Sequence, residues 1–91
     1  MNFEWDDTKN DINITKHGID FWDAKTVFAD PHRIERQDVR KDYGEIRMQT
    51  IGTIGKDRYL LVVYTIRKKT CRIISARQAN TEEKEIYNDN Y

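Results

Sequence analysis

Tyr59-Leu60-Leu61-Val62-Val63-Tyr64-Thr65 is the stretch that decides the fold. It is a continuous apolar run, as expected of a central strand covered on both faces. Downstream, Lys68-Lys69 reads as a turn, and Cys71-Arg72-Ile73-Ile74-Ser75-Ala76-Arg77 as the last strand. Upstream, Ile46 to Ile51 alternates well, and the segment from Gly52 to Gly55 offers bulge or turn chemistry. His32 to Val39 alternates weakly and reads as a polar edge strand, followed by a charged turn from Arg40 to Gly44. Connections this short favour an antiparallel meander.

Pro31, the only proline, separates this body from a helical front. Phe3-Glu4-Trp5 reads as a short strand or edge segment. Asp6 is placed to cap a helix running to about His17, with Gly18 stopping it. Asp20 caps a second helix whose Phe21, Ala24, Val27 and Phe28 form an apolar face; it ends near Asp30, because the residue before a proline avoids helical dihedrals. Thr81 is expected to cap a closing helix, with Glu82 and Glu83 favouring its dipole. The order predicts an α+β fold: two N-terminal helices and a C-terminal helix packed on one side of a small antiparallel sheet. Trp5, Phe21, Trp22 and Phe28 are expected in the core.

Ninety-one residues suit a single domain spanning 1–91. One cysteine, Cys71, excludes an intrachain disulfide and fits a reducing compartment. Met1 to Asp7 is acidic and aromatic, unlike a signal peptide, and no apolar run is long enough to cross a bilayer, so a cytoplasmic location is expected. Formal net charge is zero, but its distribution is uneven. Residues 54–79 hold seven bases and one acid, whereas residues 1–31 hold seven acids and three bases. Such asymmetry can place a basic face on a neutral protein, for RNA or for an acidic partner.

No zinc spacing, calcium loop, phosphate loop or nucleophile elbow is present, and neither a metal nor another cofactor is expected. Ser75 and Cys71 read as structural. What remains is a set of charged residues at strand positions: Arg47, Arg67, Arg72 and Arg77, with Glu45 two residues before Arg47. Metal-free RNA cleavage needs a base for the 2′-hydroxyl, cations to steady the phosphorane, and an acid for the leaving oxygen. Arginine suits the second task, because its planar fork matches phosphate oxygens. Glu45, His17 or Lys16 is a candidate for proton transfer, although a helix C-terminus alone would favour Lys16 and His17. Lys56, Arg58, Lys68 and Lys69 join Arg47 as candidate RNA contacts, with Tyr64 as a base-stacking candidate. A non-catalytic RNA-binding module, or a protein-interaction domain using the same basic sheet, is the alternative.

Phe3-Glu4-Trp5-Asp6, Lys9, Asn13, Lys16-His17-Gly18-Ile19, Phe21, Ala24, Val27-Phe28 and Asp30-Pro31 together resemble the opening of the BrnT toxin family. Glu45-x-Arg47, Ile51-Gly52, Leu61-Val62-Val63-Tyr64-Thr65-x-Arg67 and Arg72-Ile73-Ile74-Ser75-Ala76-Arg77 continue the likeness, and Ala79, Glu83 and Tyr87 close it. The resemblance implies a RelE-like fold and a type II toxin that cleaves RNA without metal. It also implies a BrnA-type ribbon-helix-helix antitoxin as partner, which would cover the basic face. The complex would repress its own promoter, so that DNA is met only through the antitoxin. Carried over, Arg67 and Arg77 are expected on phosphate and transition-state charge, and Glu45 or His17 on proton transfer. Arg72 is expected to alternate to the face opposite Arg77, as a structural or antitoxin-facing residue. The segment from Glu35 to Gly44 carries no family motif.

Overall fold

The computed structural model describes residues 1–89. The strands are β1 (Asn2–Glu4), β2 (Ile34–Gln37), β3 (Met48–Ile54), β4 (Arg58–Arg67) and β5 (Thr70–Gln78). The helices are α1 (Asp7–His17), α2 (Phe21–Ala24), which runs on as a 3-10 turn Lys25–Ala29, and α3 (Thr81–Asp89). One five-stranded sheet has the order β1-β5-β4-β3-β2, with the apolar run in its central strand as expected. Strands β2 to β5 pair antiparallel, whereas β1 joins β5 in parallel, so the sheet is mixed at that edge. Helices α1 and α2 carry the chain from β1 to β2 at the opposite edge, and the antiparallel meander then brings β5 back beside β1.

The helix boundaries follow the caps in the sequence. The Asp6 side chain accepts from Lys9 N, and Gly18 closes α1 at φ 70, a conformation that favours glycine. Asp20 accepts from Trp22 N at the start of α2. For α3 the expected cap moves by one residue. Glu83 N donates to Asn80 Oδ1 at 2.8 Å, and Asn80 N to Glu83 Oε1 at 2.9 Å, so the reciprocal cap is Asn80, not Thr81.

The two sheet faces are packed differently. Leu60, Val62, Ile73 and Ala76 point to one face, where Ile19, Phe21, Ala24 and Val27 bury them. Alternation sends Leu61 to the other face, where it packs with Ile51 and Tyr87. Helix α3 therefore covers part of the second face, contrary to the expectation that all helices share one side. Trp22 also departs from expectation: it is 62% exposed, with Lys25 Nζ 3.6 Å from its ring centroid. Gly52 lies inside β3 rather than in a bulge, where a Cβ would meet Val27 Cγ1 at 2.8 Å, and Gly55 opens the β3–β4 turn at φ 66, as the turn expectation had it.

The bulge occurs elsewhere. Val63 pairs with Ser75 but Tyr64 pairs with Ile73, so Ile74 is an extra residue in β5. This reverses alternation along β5. Arg72 sits opposite Thr65 and Arg77 opposite Leu61, both on the face that α3 only partly covers. The expected separation of Arg72 from Arg77 is thus corrected: the two share a face.

Side chains finish both sheet edges. Strand β1 reaches only Thr70–Arg72, and beyond it Asn13 of α1 bonds both the N–H and the carbonyl of Ala76. Strand β2 reaches only Ile51, and beyond it Asp30 accepts from Thr53 N at 2.9 Å. Backbone groups at a sheet edge need partners when buried, and these two residues supply them.

Candidate active site

Past α3, the second sheet face is polar. Strand alternation and the β5 bulge line it with Arg36, Gln49, Val63, Thr65, Arg72, Ser75 and Arg77. Two clusters of guanidinium and carboxylate stand on this surface.

The first is built around Glu83. Its side chain is 6% exposed, and Arg77 meets it through Nη1 and Nη2, both at 2.8 Å. Arg36 Nη2 is 3.7 Å from the same carboxylate, and Arg36 Nε donates to Gln49 at 2.8 Å. Burial alone would push the Glu83 carboxyl up. The hydrogen bonds from Arg77 and the Asn80 amide, with the charge of Arg77 and Arg36, outweigh burial and hold it below the usual carboxylate range. Glu83 is therefore ionised at neutral pH.

The second cluster is built around Glu45, which accepts from Arg67 Nη2 at 2.9 Å and from Arg47 Nε at 3.3 Å. Arg67, and to a lesser degree Arg47, keeps the Glu45 carboxyl below its ordinary value. An ionised carboxylate has no proton to give, and the lowered pKa makes Glu45 a weak proton acceptor. The loop between β2 and β3 holds Arg47 in place: its guanidinium lies 4.1 Å from the Tyr43 ring centroid. The Tyr43 hydroxyl donates to Asp38, whose buried carboxylate also takes two bonds from Arg40. A segment without a family motif thus supports a candidate site residue.

The remaining candidates separate. Lys16 and His17 end α1 and line a cleft over β5 with Ile74 and Ser75, next to the surface that carries Arg72 and Arg77. Lys68 and Lys69 form the β4–β5 turn, and Lys56 and Arg58 lie at the β3–β4 end. A ten-residue strand lies between these pairs, so they stand about 30 Å apart, and the basic segment is two separate ends rather than one patch. Tyr64 is 5% exposed, its hydroxyl donates to Glu35, and Phe28 packs edge-on against it at 5.0 Å. Its ring has no open face for a base, which corrects the stacking expectation. Arg72 is 3.6 Å from Glu4 in an ion pair.

Sequence reading missed Arg36, Gln49 and Glu83 as parts of this surface. A signal for Glu83 existed, because it lies four residues before Tyr87 on the inward stripe of α3. Arg36 had none, since its neighbours form through pairing with β3. Among the described residues, no group of three or more His, Cys, Asp or Glu is arranged to hold a metal.

Residues 5–83 match the family model described as ribonuclease toxin, BrnT, of type II toxin–antitoxin system. The crystal structure of the Brucella abortus ribonuclease toxin BrnT is similar to this fold with a TM-score of 0.64 and 25% sequence identity. The likeness covers 89% of this chain and 99% of that one. No curated protein sequence matches.

Proposed function

This chain belongs to the BrnT family of ribonuclease toxins of type II toxin–antitoxin systems, and from that premise we propose that its half-covered sheet face cleaves RNA by attack of the 2′-hydroxyl, without metal. A toxin of this class implies an RNA substrate and an antitoxin partner. The observation that carries the site is the pair of guanidinium–carboxylate clusters on one face, Arg77 with Glu83 and Arg67 with Glu45.

In this reading Glu45 takes the 2′-hydroxyl proton, and the 2′-oxygen attacks phosphorus. Arg67 stabilises the charge of the phosphorane. Arg77 sits opposite Leu61, six residues along β4 and so about 20 Å away. It holds a neighbouring phosphate of the strand, which corrects the expectation that both arginines meet the transition state. The 5′-oxygen leaves with a proton from His17 or, in its place, Lys16, which line the cleft beside Ser75. The products are a 2′,3′-cyclic phosphate and a 5′-hydroxyl. His17 is the alternative base, histidine being the residue type suited to either role near neutral pH. Arg47, with Lys68 and Lys69 at one end and Lys56 and Arg58 at the other, engages phosphates along the strand.

The partner reading is a BrnA-type ribbon-helix-helix antitoxin that covers this face, with Arg72 among its contacts. The complex represses its own promoter, so this chain meets DNA only through the antitoxin, and the pair acts in the cytoplasm. No helix among the described residues is long and apolar enough to cross a membrane. Induced expression in a bacterial host should arrest growth, and co-expression of the neighbouring ribbon-helix-helix gene should restore it. Arg67→Ala, at a half-exposed position, should relieve the arrest without unfolding the chain. A folded Arg67→Ala protein of full toxicity would remove the assignment of that cluster to catalysis.

A further inference from the structure

We propose that Glu83 is a positioning residue that fixes Arg77 and Arg36 as a two-guanidinium seat for an RNA phosphate. The inference rests on the ribonuclease reading and adds Arg36 and Glu83 to it.

The carboxylate is held by the start of its own helix. Glu83 Oε1 accepts from Asn80 N at 2.9 Å as part of the reciprocal cap, so its orientation is set by the α3 backbone. The helix is in turn anchored by Tyr87, whose hydroxyl donates to buried Asp30 at 2.7 Å. Arg77 is then oriented by a partner that has little freedom to move.

That orientation uses one edge of the Arg77 guanidinium and leaves the other. Nη1 donates to Glu83 Oε1 and to the Gln78 carbonyl, and Nη2 donates to Glu83 Oε2. The opposite edge, Nε with the outer proton of Nη2, meets no protein acceptor among the described residues. It is the edge with which an arginine grips a phosphate through two parallel bonds. Arg36 is fixed through Nε by Gln49, which is buried, and leans its Nη2 toward Glu83. Its Nη1 likewise meets no protein acceptor among the described residues.

Charge decides what the seat accepts. Two guanidinium groups share one carboxylate, which leaves a local excess of one positive charge. A single ion pair would offer its remaining N–H donors without net charge. A phosphodiester carries one negative charge and matches the excess. The Glu45 cluster has the same composition, two arginines on one carboxylate, so the face offers two such seats.

The test measures binding and cleavage of a single-stranded RNA oligonucleotide by the full chain over a series of salt concentrations. Arg36→Gln, on an exposed strand position, should raise KM several-fold with kcat nearly unchanged. It should also lower the salt slope of binding by about 0.7, the share of one phosphate contact on a single strand. Glu83→Gln should lower kcat about tenfold or more without raising KM, because the variant loses a negative charge but no cation. A purely structural Glu83 would instead scale activity with the folded fraction, read in parallel by thermal unfolding. An Arg36→Gln protein with the wild-type salt slope, or a folded Glu83→Gln protein with wild-type kcat, would overturn the inference. The two readings fail separately. A wild-type protein that binds RNA and never cuts it contradicts the ribonuclease reading, while the salt slope of Arg36→Gln still decides whether the seat exists.

Discussion

Asn13 in α1 and Ala76 in β5 exchange two hydrogen bonds: Asn13 Nδ2 donates to the Ala76 carbonyl at 2.8 Å, and Ala76 N donates to Asn13 Oδ1 at 3.1 Å. The side chain thus behaves as a missing strand residue at the edge where β1 has ended. Nδ2 also donates to Ile19 O at 2.9 Å, which ties the turn after α1 to the same point. The cleft containing Lys16, His17 and Ser75 is built on this junction.

Replacing Asn13 with alanine leaves a buried amide and carbonyl of Ala76 unpaired, at about 1–3 kcal/mol for each such group. We expect Asn13→Ala to lose about 2–4 kcal/mol of stability in urea unfolding. Asn13→Asp should lose a similar amount, because a carboxylate cannot donate to the Ala76 carbonyl. A loss below about 0.5 kcal/mol for both variants would show that the junction contributes little.

Five carboxylates, Asp20, Asp30, Asp38, Glu45 and Glu83, have their titration depressed by the fold. Bonds from Arg40 hold Asp38 well below the usual range. In Asp30, as in Glu83, burial pushes the pKa up but is outweighed, here by bonds from Tyr87, His32 and Thr53. A group whose folded pKa is lowered adds stability above its unfolded pKa and loses it as pH falls through the folded value. Stability should therefore hold between about pH 7 and 5 and decline below about pH 4, the unfolded carboxylate range. Asp30→Asn should lower the neutral plateau by about 1–3 kcal/mol, since an amide nitrogen cannot satisfy every donor aimed at Asp30, and should flatten the acid limb. Urea titrations at each pH measure both effects. Stability that rises on acidification would contradict the assignment.

The β4–β5 turn combines a backbone requirement with a charge. Lys68 and Lys69 both have positive φ, 50 and 66, in a two-residue hairpin that asparagine and glycine fill with less strain. Lys68→Asn with Lys69→Gly should stabilise the fold by about 1 kcal/mol, a rise in Tm of about 4–8 °C for a chain of this size. If both lysines contact RNA, the same variant should lose up to about 1.4 from the salt slope of binding. A more stable protein with unchanged RNA affinity would take the turn out of the interface.

How legible the fold was depended on the range of the interactions. Central strand β4, the caps Asp6, Gly18 and Asp20, and the turn at Lys68-Lys69 are local features, and each stands in the sequence. The bulge at Ile74 is not local. No glycine marks it, and it exists because the pairing of β4 with β5 shifts by one residue. That shift brings Arg72 to the face of Arg77, which simple alternation forbids. The crossing of α3 to the second face was written in its Glu83–Tyr87 stripe, but the stripe does not say which surface it meets. Charge counting found the basic segment and missed its geometry, because a ten-residue strand carries its two ends far apart. Tyr64 shows the converse error: a tyrosine among basic residues in sequence is a core residue in space.

The central claim is that the surface carrying Arg67, Arg77 and Glu45 cuts RNA through the 2′-oxygen. The most direct measurement incubates purified protein with RNA in EDTA and identifies the new 3′ ends by mass spectrometry, beside Arg67→Ala and Glu45→Gln proteins of verified fold. The wild type should leave 2′,3′-cyclic phosphate ends, and cleavage should fall about a hundredfold or more in both variants. Intact RNA, 3′-hydroxyl ends, or variants as active as the wild type would contradict it.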